Sequence, residues 1–359
     1  MRQERLSRAR IKTNSLRFGA TMIAMKHDLS LHLSQNEEIG LIPVISKAGR
    51  VFDRRFPSRD VFQGIRKVAH NTPPDAPIIV MLHGQGFDPC IARVDPFRSI
   101  FAYDPYGDRI RDYWRLQSWA HRFKCAPQKS MMIGYGWQAH STDFVMSANV
   151  NAVARNAVME AQQFGAFVQR LNAITPQRPV HVIAHGMGAK LALRSLETTP
   201  KMRIKRLIML NGQGLITDGL LAMNAKAGQK TEFYNIYERS TARLRFIDRH
   251  CEKAGPIDHI LALGFPFQRH RWVDIPLADR IGMFNLFKEH PKFSRRPCAK
   301  SFTAHFHGDA LINSIAYGAI GSSVEAIKTK LNDRLRPYKP MRRYPPCWLN
   351  PLNYFVRPV

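Results

Sequence analysis

The sequence predicts an α/β protein in three layers, with a mainly parallel central sheet flanked by helices. Three observations carry this. Short apolar runs alternate with longer helical patterns along most of the chain, and that alternation demands crossover connections and hence parallel strands. The run Val180-His181-Val182-Ile183-Ala184 passes through a tight turn directly into a helical pattern with Leu191, Leu193 and Leu196. A second apolar run, Ile78 to Leu82, opens straight into the glycine-bearing loop His83-Gly84-Gln85-Gly86.

Taken in order, Leu41 to Ser46 and Val51 to Arg54 read as two strands joined at Lys47-Ala48-Gly49, a hairpin. A helix follows through Val68, with Ser58 as its N-cap. Pro73 to Pro77 is a turn before the Ile78 strand. Residues 91–128 are loop-rich and aromatic. Met131 to Gly136 is the next strand and its turn, and a long helix from Ser147 to Ala173 carries apolar residues at Val153, Ala161, Phe164 and Val168. Beyond the Val180 strand and its helix lie strands at Arg206 to Leu210 and Phe233 to Tyr237, then a helix over Leu244 to Lys253. Three regions result: a basic extension over 1–38, an α/β domain over 39–327, and a basic, Pro- and aromatic-rich tail over 328–359.

The charge is unusual. The chain has 359 residues and a formal net charge of +27. Residues 1–30 hold seven basic and two acidic side chains, and residues 328–359 hold eight and one, so the domain between them is basic too. Such a field attracts polyanions and anionic surfaces. No run of 18 apolar residues exists, so no transmembrane helix is expected. The Arg-rich start lacks the continuous apolar core and cleavage site of a secretory signal. The five cysteines are scattered without a C-x-x-C pair, which suggests neither zinc nor a disulfide framework and fits a reducing, cytoplasmic setting. No Walker A or dinucleotide fingerprint is present, and Gly212-Gln213-Gly214 is too short for a cofactor loop. No cofactor is expected.

Strand, sharp turn and helix form the context of a nucleophile elbow, G-x-S-x-G. The five positions here are Ala184, His185, Gly186, Met187 and Gly188. The small flanking residues let strand and helix approach closely, but the serine position holds Gly186. Glycine enters strained backbone regions without a Cβ clash, so Gly186 relaxes the turn while deleting the attacking oxygen. The His83-Gly84-Gln85-Gly86 loop reads as an oxyanion loop, whose N–H groups would pair with that of Met187.

With its His83-Gly84 followed by Pro89, its His185-Gly186-Met187-Gly188-Ala189 and its late Ala304-His305-Phe306, the chain resembles the α/β-hydrolase superfamily, and in particular a bacterial branch of it. That branch shows H-G-x-x-x-x-P, G-H-S-[LM]-G-A and C-H-W at these places. Trp272-Val273-Asp274-Ile275 also resembles a segment between its acid and its base. The resemblance spans about residues 40–315 and implies a three-layer α/β-hydrolase fold. It implies His305 as the base, with His307 as the runner-up, and an acid after the Phe233 strand, where Glu238 and Asp248 are the nearest carboxylates. Cys90 is a conceivable nucleophile with no supporting motif, and Ser141 and Thr142 read as capping or turn residues.

Three functions follow from these residues. The first is a non-catalytic hydrolase-fold protein that binds a small acyl- or ester-like molecule or an anionic macromolecule. The second is an ester or acyl hydrolase with a relocated nucleophile, using His305 and the His83-Gly84 loop. The third is a nucleic-acid or membrane-surface binder acting through the basic surface, which would weaken steeply with salt.

Overall fold

A computed structural model of the chain describes residues 41–101, 119, 129–141, 146–237, 242–267, 269–277, 309–318 and 322–332. Its strands are β1 (Leu41–Lys47), β2 (Arg50–Asp53), β3 (Ile78–Leu82), β4 (Met131–Gly136), β5 (Val180–His185), β6 (Arg206–Leu210), β7 (Glu232–Tyr237) and β8 (Trp272–Pro276). Its helices are α1 (Val61–His70), α2 (Met146–Ile174), α3 (Met187–Thr198), α4 (Ile216–Asn224), α5 (Ala242–His250), α6 (Asp309–Ala316) and α7 (Val324–Asn332).

All eight strands form one sheet in the order β2-β1-β4-β3-β5-β6-β7-β8. Only the edge pair β1–β2 is antiparallel. Its loop is two residues long, and Ala48 and Gly49 both have positive φ, the backbone that matches strand twist in a two-residue hairpin. The other pairs are parallel and buried on both faces, which is why β3, β5 and β6 read as unbroken apolar runs.

The period of two along each strand divides the core. Ile78, Val80 and Leu82 face the layer that contains α1, α2 and α3, while Ile79 and Met81 face the layer with Phe97, Phe101, α6 and α7. The fold is therefore a three-layer α/β sandwich with a mainly parallel sheet, as the sequence predicted. Polar bonds pin the second layer. Arg206 donates to the Ile315 carbonyl and to Ser322 Oγ, Tyr234 OH to the Ser322 carbonyl, and His181 Nδ1 to the Ala316 carbonyl. Among the described residues, no helix is long and apolar enough to cross a membrane.

Two boundaries differ from the sequence reading. The N-cap of α1 is Asp60, not Ser58. Asp60 has extended backbone (φ −63, ψ 118), and its carboxylate accepts from Phe62 N–H at 3.1 Å while also meeting Arg170 at 3.0 Å. Helix α5 stops at His250 because Lys253 folds back onto Asp248 instead of continuing the turn. If Asp60 is the cap, Asp60→Ala should cost about 1 kcal/mol of stability, while Ser58→Ala stays within a few tenths, read as urea midpoints.

Candidate functional site

Strand order decides where a crevice opens. From β3 the chain leaves toward β4, on one side; from neighbouring β5 it leaves toward β6, on the other. The carboxyl ends of β3 and β5 thus flank a topological switch point, where ligands of open α/β sheets bind. The His83-Gly84-Gln85-Gly86 loop follows β3, and the turn at Gly186 follows β5. Two segments about a hundred residues apart are brought together by the register Leu82↔Ala184.

Glycine makes their contact close. A Cβ on Gly84 would lie 2.7 Å from His185 Nδ1 and 3.0 Å from the His185 carbonyl. A Cβ on Gly188 would lie 2.6 Å from the His83 carbonyl oxygen and 3.0 Å from that of Leu82. The carbonyl against Gly188 cannot yield, so that position excludes larger residues, whereas a Cβ at Gly84 would first press on the His185 ring. Gly186 differs. Its backbone has φ 53 and ψ −119, a region that L side chains rarely adopt, yet a Cβ there would meet nothing closer than 3.6 Å. The restriction at Gly186 is one of conformation, not of space.

His83 is a strut. Its ring is fully buried and stacks on Trp137 at 5.6 Å and 12°. Nε2 accepts from the Trp137 N–H at 3.0 Å, so the proton sits on Nδ1 and is donated to the Gly84 carbonyl at 3.1 Å. Burial drives its pKa down to about 4, partly offset by the Gly84 carbonyl, so the ring stays neutral at physiological pH. The Gly86 N–H is committed to the Ala139 carbonyl at 2.8 Å. Gln85 donates Nε2–H to Asn149 at 2.6 Å. Met187 opens α3, and in its first turn the Ala189 N–H is taken by the Gly186 carbonyl at 3.1 Å. Trp119 stands edge-on to His185 at 6.3 Å and closes one side.

A third loop completes the crevice. After β6, Asn211 turns with φ 45, and the Gln213 N–H donates to the Gly186 carbonyl at 2.9 Å. The carbonyls on either side of Gln213 are also held: Gly212 accepts from Ala262 N–H and Gly214 from Leu261 N–H, both at 2.8 Å. The Gln213 carboxamide then lies 3.6 Å from the place a Gly186 Cβ would occupy. The 261–265 segment is anchored in turn. Asn235 donates to the Leu261 carbonyl at 2.8 Å and to Asp274 at 2.9 Å, and Asp274 also accepts from Phe265 N–H and from the Trp272 indole.

Ala184, His185, Gly186, Met187 and Gly188 therefore meet His83, Gly84 and Gln85 in one crevice. Asp248 is engaged elsewhere. Its Oδ1 accepts from Ile260 N–H, and its Oδ2 meets Lys253 at 2.8 Å and His259 at 3.0 Å. Burial would raise this carboxyl, but those three partners together hold it below the ordinary value. Glu238, His305 and His307 lie outside the described residues. Gln213, Asn235 and Asp274 were not singled out as site residues from the sequence. The glycines around Gln213, on a loop ending a buried strand, were the available signal. Among the described residues, no group of three or more His, Cys, Asp or Glu converges as a metal site would.

No protein-family model matches this chain. No curated protein matches it either. Similar solved structures include TT1662 from Thermus thermophilus, at 12% identity and a TM-score of 0.31, over 62% of this chain and 91% of that one. They also include a lipase-esterase related protein from Clostridium acetobutylicum, at 12% identity and a TM-score of 0.23, over 40% of this chain and 44% of that one.

Two outcomes are expected. Gly186→Ala should cost about 1–3 kcal/mol through its positive φ, whereas Gly188→Ala, at an ordinary helical φ, should cost more, because its Cβ would lie 2.6 Å from the His83 carbonyl oxygen. Melting temperatures should fall in the order parent, Gly186→Ala, Gly188→Ala. The second concerns Asp274, which is partly buried and held by the neutral donors of Asn235, Phe265 and Trp272; desolvation lifts its pKa to about 6. A carboxyl whose folded-state pKa is raised favours the fold while protonated. Its contribution is therefore lost as pH rises from about 4 to about 6, a change on the order of 3 kcal/mol. Relative to Asp274→Asn, the parent should lose melting temperature between pH 4.5 and pH 7; parallel curves would refute this.

Proposed function

We propose that the chain is an α/β-hydrolase-fold protein with a degraded catalytic apparatus, which binds a small acyl- or carbonyl-bearing molecule without cleaving it. The observation that carries the reading is Gly186. The turn between β5 and α3 keeps the strained backbone that an elbow nucleophile requires, with φ 53 and ψ −119, but carries no side chain. Space for a serine remains, since the nearest atoms to a Cβ lie 3.6 Å away. The architecture is kept and the attacking oxygen is gone.

The surroundings support binding. The crevice sits at the switch point of the sheet. The N–H groups of Gln85 and Met187 are the donors this reading assigns to a ligand carbonyl, and the dipole of α3 favours partial negative charge at the same place. His83, neutral and bonded through both ring nitrogens, holds the loop and moves no proton. Without a nucleophile, polarising a carbonyl leaves a bound ester intact, because covalent acyl transfer needs an attacking group.

The test is hydrolysis of short- and medium-chain acyl esters by the full-length parent, His305→Ala and Gly186→Ser. The parent and His305→Ala should be equally inert. Gly186→Ser should fold, with a small loss of stability. Turnover by the parent that His305→Ala abolishes would overturn the proposal and establish an enzyme with a relocated nucleophile.

A further inference from the structure

Gln213 is the polar side chain nearest the missing one. It is nine-tenths buried, with 8% of its surface exposed, and its Cδ and Nε2 lie 3.6 Å from the position of a Gly186 Cβ. Its backbone is clamped from three directions, by Gly186, Ala262 and Leu261. Its side-chain oxygen, Oε1, is buried and has no hydrogen-bond partner. On the opposing loop, Gln85 Oε1 is likewise buried without a partner, although the same amide donates to Asn149. Buried carbonyl oxygens are normally satisfied, and leaving one unpaired is costly. Two such acceptors on the two loops that flank Gly186 call for a donor that no described residue supplies.

Charge narrows the ligand. Lys190, one turn into α3, is paired with Asp218 at 2.8 Å. His83 is neutral. A carboxylate would set its oxygens against those of Gln85 and Gln213, and an ester has nothing to donate to them. A primary carboxamide fits both needs. Its carbonyl accepts from the first turn of α3 or from Gln213 Nε2–H, and its N–H groups donate to the orphan oxygens.

We infer that Gln213 sets the specificity of the Gly186 crevice and that the ligand is a neutral compound with a primary carboxamide group. This rests on the binding reading given above and adds the chemical class. The experiment is calorimetric titration of the full-length protein with benzamide, methyl benzoate and benzoate, which share a ring and differ in the hydrogen-bonding group. Benzamide should bind roughly ten- to a hundred-fold more tightly than the other two, the margin of one buried hydrogen bond left unmade. Gln213→Met should erase that margin. Gln213→Glu should shift the preference from benzamide to benzamidinium, because a carboxylate accepts twice and donates nothing. The inference fails if benzamide does not bind, if the three probes bind equally, if benzoate binds best, or if Gln213→Met keeps the preference. Should a variant not fold, the ranking in the parent decides. Release of methanol from methyl benzoate would instead overturn the non-catalytic reading, and it is detected separately from binding.

Discussion

The structure around the site depends on how closely two strand ends approach each other. Between β3 and β5 the loops come close at Gly84 and Gly188, where a side chain would strike the His185 ring at the first and the His83 and Leu82 carbonyl oxygens at the second. Parallel strands already fix the spacing of Leu82 and Ala184. The glycines then let the loops beyond them fold inward and meet. A side chain at Gly188 would prise the β3 loop away from the turn at Gly186.

Behind that contact stands a relay of hydrogen bonds reaching across half the sheet. Asp274 on β8 orients Asn235 on β7, and Asn235 holds the Leu261 carbonyl. Leu261 and Ala262 grip the carbonyls on both sides of Gln213, whose N–H grips Gly186. On the other flank the His83–Trp137 stack holds the β3 loop against the end of β4. The crevice is supported from both sides by buried groups that do not themselves face it. A site held in this way is stiff, and stiffness favours recognition by a few well-placed polar atoms.

Much of this was legible in the sequence. The strands announced themselves as short apolar runs because parallel strands are buried on both faces, and the glycines of the two loops marked where backbones come close. Ser58 was a plausible cap by residue type, but Asp60 wins because Arg170, on α2, also holds its carboxylate, and that partner lies far along the chain. The parts that were not legible share this property. Gln213 looked like an ordinary residue between glycines until β6 placed it over Gly186. Asp274 stood in a stretch noted only for its resemblance, and nothing local revealed that Asn235 and Phe265 would join Trp272 in converging on it. Asp248 could be named as a carboxylate, but its partners, Lys253, His259 and Ile260, are set by the path of the loop after α5.

The strand order also bears on how the chain acquires this site. From β5 to β8 each strand pairs with the next one along the chain, so every closure joins neighbours. The β3–β5 seam joins segments separated by the whole of β4 and α2. Loops that long lose more entropy on closing, and contacts so distant in sequence form slowly. The two halves of the crevice are therefore made on different schedules. One belongs to a run of local pairings, and the other arrives when the seam zips. A refolding chain would make the Gly186–Gln213 contact before the β3 loop closes on it, so a molecule held across both would act as a fastener for the last step of folding.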